Sequence, residues 1–249
     1  MGNNLLIDIG NSNIKIALSK NESDIHKKGV YKYDRSKFET DFSKILKEYT
    51  SEKIKPGTIF KTGISVTNPA FHKILKEKFK NSDTLFISNK TSPFVKITYK
   101  SKLGNDRVCE INAVYHLNNK EHILLIDFGT ATTLNVIRKG EFIGGAISPG
   151  IQTGLNSLSV STPLPKSPIK FRKEIIFDNT NDSISNGTTH QTVFYIERAV
   201  SELKKKYTKL YVIATGGLSE LVSHHTDCID IVDRDLVLKG INLIINSRT

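Results

Sequence analysis

Tryptophan, methionine and cysteine are scarce in this sequence. Its 249 residues include no tryptophan, one methionine and two cysteines. Cys109 and Cys228 are far apart and form no C-x-x-C pair, which argues against a disulfide framework. Free thiols are typical of a reducing cytoplasm, so we expect a cytoplasmic protein. No apolar run reaches the length of about 20 residues that a membrane-spanning helix needs, so no membrane partner is expected.

Two glycine-rich motifs of nucleotide-binding proteins are also absent. The sequence contains neither G-x-x-x-x-G-K-[ST] nor G-x-G-x-x-G. These motifs form the phosphate-binding turns of P-loop enzymes and of dinucleotide-binding folds, so neither class is expected. Any contact with phosphate has to come from other turns of the chain.

Charge of one sign is in excess. The chain has 36 lysines and arginines against 25 acidic residues, a formal net charge of +11. This balance favours anionic partners such as nucleic acid, acidic lipid or phosphorylated small molecules. The lysines are scattered, and the densest run, 204–206, looks like the solvated end of a helix. We therefore expect a phosphorylated small molecule and no nucleic-acid partner.

The segment 123–133, I-L-L-I-D-F-G-T-A-T-T, is the most informative part of the chain. Its apolar run predicts a buried strand that ends near Asp127. Gly129 permits a sharp turn and lets a ligand approach the main chain. The N–H groups and hydroxyls around Thr130 and Thr132 suit phosphate oxygens, and the carboxylate suits a cation or its water shell. An ordinary hairpin with a turn-favouring aspartate is the alternative.

A second segment, 5–12, repeats this pattern as L-L-I-D-I-G-N-S. Its aspartate, Asp8, precedes Asp127 by 119 positions, close to half of the chain. This distance is too long for a solenoid repeat and predicts two related α/β halves, residues 1–117 and 118–249. Each half is expected to offer one strand–Asp–Gly turn to a central nucleotide cleft. Chance similarity of two short buried strands is the alternative.

Two charged residues, Asp106 and Arg107, lie at the start of a predicted helix. Asp106 complements the helix dipole there, so a purely structural role is open to it. Arg107 gains nothing from the dipole, which favours an anion-binding role. In a phosphoryl transfer, Asp106 would orient or deprotonate an acceptor alcohol, and Arg107 would clamp an acidic substrate with its planar fork.

Phosphoryl transfer also needs bound phosphates and a divalent cation. Asp8 and Asp127 are the candidates for binding cations, and Asn11 and Ser12 are candidates for hydrogen bonds to phosphate. Lys15 is either a phosphate contact or an ordinary lysine on a strand face.

Two further segments stand out. Gly216 and Gly217 follow a predicted strand at 210–214, where a purine or ribose could lie against bare backbone. A simple strand-to-helix turn explains these glycines equally well. Residues 166–182 are basic and irregular, and we predict that they are mobile.

Several motifs occur in one order along most of the chain: D-x-G-N-S at Asp8, G-x-D-R at Gly104, D-x-G-T-A-T-T at Asp127, G-G-x-I-x-P-G at Gly144 and T-G-G at Thr215. In this combination the sequence resembles the type III pantothenate kinases. The resemblance implies a duplicated, two-domain α/β fold of the actin/hexokinase class and a homodimer. It also implies phosphorylation of pantothenate to 4'-phosphopantothenate with ATP, the first step of coenzyme A synthesis.

The resemblance implies roles for individual residues. Asp106 matches the catalytic base, and Arg107 matches the residue that binds the pantothenate carboxylate. Asp127 matches the ligand of a monovalent cation, K⁺ or NH₄⁺, and Asp8 is expected to hold the Mg²⁺ of ATP through water. The other implied substrate-binding residues are Gly104, Asn105, Tyr99 and Thr180, the last acting across the dimer interface. The implied nucleotide-binding residues are Asp8, Gly10, Asn11, Ser12, Lys15, Gly129, Thr130, Ala131, Thr132, Gly216 and Gly217.

The sequence departs from the family pattern at Ser12, where threonine is commoner, at Asn135, often aspartate, and at Asn105, usually a small residue. Two other functions stay open. One is a non-catalytic transcription accessory factor of the same fold, and the other is a sugar-kinase-like ATPase with a different acceptor. Retention of all four charged candidates, at positions 8, 106, 107 and 127, favours catalysis because a binding module does not need all of them.

Overall fold

A computed structural model describes residues 3–21, 24–54 and 57–248. Its strands are β1 (Asn3–Ile9), β2 (Asn13–Ser19), β3 (Ile25–Lys32), β4 (Ile59–Val66), β5 (Thr84–Phe86), β6 (Lys96–Ile97), β7 (His122–Phe128), β8 (Ala131–Arg138), β9 (Glu141–Pro149), β10 (Tyr211–Thr215) and β11 (Ile231–Val232). Its α-helices are α1 (Phe38–Lys53), α2 (Pro69–Lys78), α3 (Asn105–Asn118), α4 (Ile151–Ser161), α5 (Thr180–Lys206), α6 (Ser219–Ser223) and α7 (Leu236–Asn246). Within these residues, no helix has both the length and the apolar character needed to cross a bilayer.

The chain divides into two compact units. The first comprises Met1–Asn119, Gly140–Phe142 and Asp235–Thr249, and the second comprises Lys120–Lys139 and Ile143–Arg234. The boundary near residue 119 lies close to the predicted division after residue 117. The predicted halves were each continuous, however, whereas the first unit also takes α7 from the end of the chain.

The sheet of the first unit has the strand order β3-β2-β1-β4-β5. Strand β1 pairs antiparallel with β2 through a hairpin and parallel with β4. One face of this sheet packs on α1 and α2 through Phe38, Phe42 and Leu75. The other side contacts α7, which also packs against α3. Strand β1 is thus covered on both sides, which explains its nearly unbroken apolar sequence.

The second unit repeats the arrangement around β7. Strand β7 pairs antiparallel with β8 and parallel with β10, in the order β11-β10-β7-β8-β9. Helices α4 and α5 cover one face of this sheet with Ile151, Leu155 and Ile196. The predicted α/β class is confirmed, and so is the prediction that 5–12 and 123–133 form equivalent strand–Asp–turn segments.

Residues 162–179 contain no helix or strand, so the segment 166–182 is irregular as predicted up to residue 179, whereas its last three residues begin α5. The predicted mobility of 166–182, in contrast, does not agree with the contacts of this segment. The backbone N–H of Arg172 donates to Asn186 Oδ1 (2.8 Å), and Thr189 Oγ1 donates to the Lys170 carbonyl (3.0 Å). Lys170 also pairs with Asp182 (3.2 Å). Polar side chains of α5 therefore hold the segment along the helix, an interaction that local sequence does not reveal.

The contact between α7 and α3 depends on Gly240. A Cβ atom at this position would overlap the carbonyl of Cys109 and lie 2.7 Å from the Cys109 Cα. We expect Gly240→Val to force the two helices apart and to lower the free energy of unfolding by about 2–3 kcal/mol, as measured by urea denaturation.

Gly187 is a control because it lies within α5 at a position where an added Cβ atom would meet no atom of the described residues within 4 Å apart from the backbone of its own helix. Gly187→Ala is expected to raise the free energy of unfolding by about 0.5–1 kcal/mol, through reduced entropy of the unfolded chain. Equal stability of Gly240→Val and the wild type would show that the helices do not pack as described.

Candidate active site

Asp8 is buried one residue before the end of β1. It is 4% exposed and lies in register with Lys15 on β2 and Ser65 on β4. Burial raises the pKa of Asp8 to about 6, and the charge of Asp106 adds to the rise, while Lys15 and Ser65 oppose it. Its Oδ1 atom is buried without a hydrogen-bond partner among the described residues. A carboxylate in this state is suited to binding a cation, which would replace the missing partners.

The turn after β1 carries the predicted phosphate-binding residues. The N–H of Gly10 donates to the Asn13 carbonyl (3.1 Å), and the side chains of Asn11 and Ser12 are exposed. Lys15, on the returning strand, is close enough to lower the pKa of Asp8. The structure thus brings these predicted residues of the first unit together around one turn.

Two residues that sequence reasoning missed hold the same turn. The Tyr33 hydroxyl donates to the Gly10 carbonyl (2.8 Å). The guanidinium of Arg35 donates through Nε to the Asn11 carbonyl (2.9 Å) and through Nη2 to Asn11 Oδ1 (2.7 Å). Nothing in the local sequence of residues 33–35 indicates these contacts, because the partners are 23 and 24 positions apart.

Asp106 lies in the first turn of α3, where Gly104 is the N-cap. A Cβ atom on Gly104 would lie 2.5 Å from Asp106 Oδ1, so the glycine leaves room for this carboxylate. The same oxygen accepts the backbone N–H of Arg107 (2.8 Å). Asp106 is therefore fixed at the helix N-terminus and lies within electrostatic range of Asp8.

Arg107 is buried, with 8% of its surface exposed. Its guanidinium carbon lies 5.5 Å from the centroid of the Phe142 ring, and the Tyr99 ring meets Phe142 edge-on at 5.5 Å. Burial lowers the pKa of Arg107, whereas Tyr99, Asp106 and Glu110 oppose this effect. The structure thus brings the predicted residues Tyr99 and Arg107 together and adds Phe142, which the sequence did not indicate.

A cavity of about 330 Å³ lies beside the start of α3. Among its lining residues are Leu103, Gly104, Asn105, Lys102 and His72. Asn105 is buried, and its Nδ2 donates to the Val66 carbonyl (2.9 Å) while its Oδ1 has no hydrogen-bond partner among the described residues. The predicted substrate-binding residues Gly104 and Asn105 therefore line a cavity in the first unit.

In the second unit, Asp127 lies one residue before the end of β7, as Asp8 does in β1. It is in register with Thr133 on β8 and Thr215 on β10. Gly216 has a φ of +94°, and a Cβ atom there would overlap Asp127 Oδ1 and lie 2.7 Å from the backbone N of Phe128. Only glycine fits both the conformation and the space, so the T-G-G motif allows the main chain to lie against Asp127.

The second predicted phosphate-binding turn is fixed by residues at the start of α4. The carbonyl of Thr130 accepts the N–H of Gly150 (3.0 Å) and the hydroxyl of Thr153 (2.7 Å). The N–H of Gly129 donates to the Ala131 carbonyl (3.1 Å). The Thr130 side chain is exposed, but Thr132 is 1% exposed, so its hydroxyl faces the protein interior.

The remaining predicted residues are more peripheral. Gly217 has open space around its Cα. Thr180 is exposed at the first position of α5, with Asn179 as the N-cap. Asn135, where the family pattern often has aspartate, is buried and donates to Thr133 Oγ1 (3.0 Å), which gives its amide a structural role.

The residues present are chemically suited to a divalent cation that arrives together with a phosphate ligand. In the part of the chain that the structure describes, no three His, Cys, Asp or Glu side chains cluster as metal ligands. Mg²⁺ commonly keeps several waters and takes one or two carboxylates together with substrate phosphates. Asp8, with its unpartnered buried oxygen, meets this requirement through water. Asp127, packed against the main chain at Gly216, is the corresponding carboxylate of the second unit.

Comparison with known proteins identifies the fold. A Campylobacter jejuni structure named as a Baf family transcriptional activator matches with a TM-score of 0.67 and 21% identity over 98% of both chains. An inorganic polyphosphate/ATP-glucomannokinase from an Arthrobacter species matches with a TM-score of 0.56 and 13% identity over all of both chains. At these identities the likeness shows the fold alone, and the fold is that of the actin/hexokinase-like kinases.

Sequence relatives identify the chain as a kinase of this fold class. The family model for type III pantothenate kinase matches residues 4–202. A type III pantothenate kinase from Petrotoga mobilis is 31% identical over 95% of this chain and 95% of its own length. The chain therefore belongs to the type III pantothenate kinase family.

The raised pKa of Asp8 predicts how stability depends on pH. The folded protein holds the Asp8 proton more tightly than the unfolded chain, so the contribution of this group to stability falls as pH rises from about 4 to about 6. Asp8→Asn removes the cost of the buried charge. We expect it to raise the free energy of unfolding by about 1–3 kcal/mol at pH 8 and to have little effect at pH 4. Urea denaturation at the two pH values measures this difference, and the same increment at both would exclude a buried titrating carboxylate.

Proposed function

We propose that this kinase transfers the γ-phosphoryl group of ATP to the terminal hydroxyl of pantothenate, with Asp106 as the base. The observation that carries the proposal is the pairing of two consecutive residues at the start of α3. One is a carboxylate that Gly104 leaves room for and that accepts a backbone N–H, and the other is a buried guanidinium. An acid beside a cation is what an acceptor with both a hydroxyl and a carboxylate requires.

Arg107 supplies the binding of the acceptor. A buried guanidinium beside aromatic rings carries a desolvation cost that an anionic ligand offsets. The planar fork of arginine matches a carboxylate with two parallel hydrogen bonds, which a lysine cannot make. The carboxylate of pantothenate is the proposed partner, with Tyr99 completing the contact. The cavity lined by Gly104 and Asn105 accommodates the rest of the acceptor.

Asp106 supplies the orientation of the hydroxyl. Phosphoryl transfer passes through a loose transition state, so a base has little covalent work and acts mainly by positioning the nucleophile. One oxygen of Asp106 accepts the Arg107 N–H, which leaves the other oxygen for the acceptor hydroxyl. The carboxylate takes up the hydroxyl proton when the new P–O bond forms.

The two turns supply phosphate binding. In the first unit, Asn11 and Ser12 would donate to phosphate oxygens, with Asp8 holding the waters of Mg²⁺. In the second unit, Thr130 would donate, with Asp127 beside a monovalent cation, K⁺ or NH₄⁺. When bound, these cations neutralise the charge on the phosphates. A homodimer, the reach of Thr180 to a partner's substrate and a cytoplasmic location are further parts of the proposal that rest on the family resemblance.

Coupled ADP release measures the reaction. We expect turnover that requires both ATP and pantothenate and rises with added K⁺. Turnover that is independent of pantothenate would favour a sugar-kinase-like ATPase with another acceptor. A chain that binds no nucleotide and shows no turnover would favour the accessory-factor alternative.

Asp106→Asn tests the proposed base. We expect the variant to lose turnover by at least about a hundredfold while keeping the wild-type melting temperature, because the amide preserves shape and accepts no proton. Asp83→Asn is the matched control, since Asp83 is an exposed aspartate of the same unit. Wild-type activity in the Asp106 variant would remove this residue from the mechanism.

A further inference from the structure

We infer that Tyr33 and Arg35 are positioning residues for the nucleotide: by binding backbone carbonyls of the turn 10–12, they aim its N–H groups at a phosphate. The inference rests on the proposed function of this turn as a phosphate site. No family motif in the sequence includes either residue.

The contacts involve two consecutive peptide units. The carbonyl of Gly10 accepts from the Tyr33 hydroxyl, and the carbonyl of Asn11 accepts from Arg35 Nε. The second donor of Arg35 takes the side-chain oxygen of Asn11 as well. One arginine therefore fixes both the main chain and the amide of the same residue.

The direction of the N–H groups follows from peptide geometry. The described chain has no cis peptide bond, and in a trans peptide the C=O and N–H bonds point in opposite directions. Because the Gly10 carbonyl points to Tyr33, the N–H of Asn11 points away from it. The N–H of Ser12 likewise points away from Arg35. Successive N–H groups can form an anion-binding concavity, and the two carbonyls that would repel a phosphate are held here by Tyr33 and Arg35.

The side-chain amide of Asn11 is oriented in the same way, by a hydrogen bond to its oxygen. Its Oδ1 accepts from Arg35, so the Nδ2 group occupies the opposite branch of the amide. This group is a donor, as a phosphate oxygen requires. Arg35 thus selects the orientation of Asn11 that presents a donor to the nucleotide.

The positioning residues are themselves held in place. Asp34 caps the short 3-10 helix Arg35–Lys37 by accepting the N–H of Ser36 (2.9 Å). The N–H of Asp34 donates to Asp41 Oδ2 (2.8 Å), which joins this helix to α1. Tyr33 packs edge-on against Phe38 and Phe71, with ring centroids 5.7 and 6.1 Å apart.

The turn of the second unit shows the same arrangement with different residues. There the Thr130 carbonyl accepts from the Gly150 N–H and from Thr153 Oγ1. By the trans-peptide geometry, the N–H of Ala131 points away from α4. In both turns, backbone carbonyls are engaged by hydrogen-bond donors of the protein. We infer that this shared feature serves phosphate binding, because it occurs in both units.

Arg35→Ala tests the inference by titration calorimetry with Mg²⁺–ADP and by steady-state kinetics. We expect the Kd for Mg²⁺–ADP and the KM for ATP to rise about tenfold or more, with the KM for pantothenate unchanged and kcat altered less than about threefold. Tyr33→Phe, which removes only the hydroxyl, is expected to show the same pattern at about two- to fivefold. Arg35→Lys keeps the charge but cannot reach both acceptors, so an intermediate rise is expected.

Lys37→Ala is the matched control, because Lys37 lies on the same 3-10 helix and its removal subtracts the same charge. We expect it to bind nucleotide like the wild type. Equal weakening in the Arg35 and Lys37 variants would show general electrostatic attraction and overturn the inference. So would unchanged nucleotide binding in Arg35→Ala.

The calorimetric binding measurement distinguishes failure of this inference from failure of the proposed function. Calorimetry with Mg²⁺–ADP needs no acceptor, so it gives a result even if pantothenate is not the substrate. Weakened nucleotide binding without pantothenate turnover in the wild type would support the positioning role and reject the acceptor. Melting temperatures of all variants within a few degrees of the wild type show that folding is intact.

Discussion

The buried carboxylate of Asp8 is the constraint around which the first unit is arranged. A charged group at 4% exposure is costly unless partners compensate it, and here Lys15 and Ser65 compensate it only in part. The pKa of about 6 results from burial, which raises it, and from Lys15 and Ser65, which lower it. A cation arriving with the nucleotide would complete it and release the protons still bound near pH 6. If Asp8 holds that cation, as we propose, nucleotide binding, metal binding and protonation would be coupled through one side chain.

Two glycines serve the other carboxylates by leaving space. Gly104 has an ordinary negative φ of −57°, so its role is steric: a side chain would strike Asp106. Gly216 combines a steric need with a left-handed backbone, and its neighbour is Asp127. The glycines of the G-x-D-R and T-G-G motifs are therefore explained by the acids they accommodate, more than by loop flexibility.

The sequence was sufficient to predict the parts of the site that local patterns encode. A buried apolar run that ends in Asp-x-Gly predicts a strand followed by a turn, and this pattern correctly located Asp8 and Asp127 at equivalent strand ends. The contacts of Arg35 with Asn11, of Thr153 with Thr130 and of Phe142 with Arg107 were not predictable. Each joins residues far apart in the chain, and residues 33–35 alone show only a turn. The segment beside α5 was misjudged for the same reason, because its hydrogen-bond partners lie on a helix that follows it.

Membership of the family and the fold are established by the comparisons, whereas the roles of individual residues are inferred from geometry. The structure shows which side-chain atoms already form hydrogen bonds within the protein, and a sequence motif does not show this. Asp106 has one oxygen in use, Asn11 has its acceptor in use, and Thr132 faces inward. These differences rank the predicted residues by how directly they can act on a ligand.

The return of α7 to the first unit has a consequence for biosynthesis. The strand with Asp8 emerges from the ribosome early, but the helix that covers the sheet and seats Gly240 against Cys109 is made more than 200 residues later. Until then, Ile7 and its neighbours in β1 lack part of their cover, and Asp106 lies on a helix, α3, that is incompletely packed. The first unit can therefore complete its packing only after the whole chain of the second unit has been synthesised.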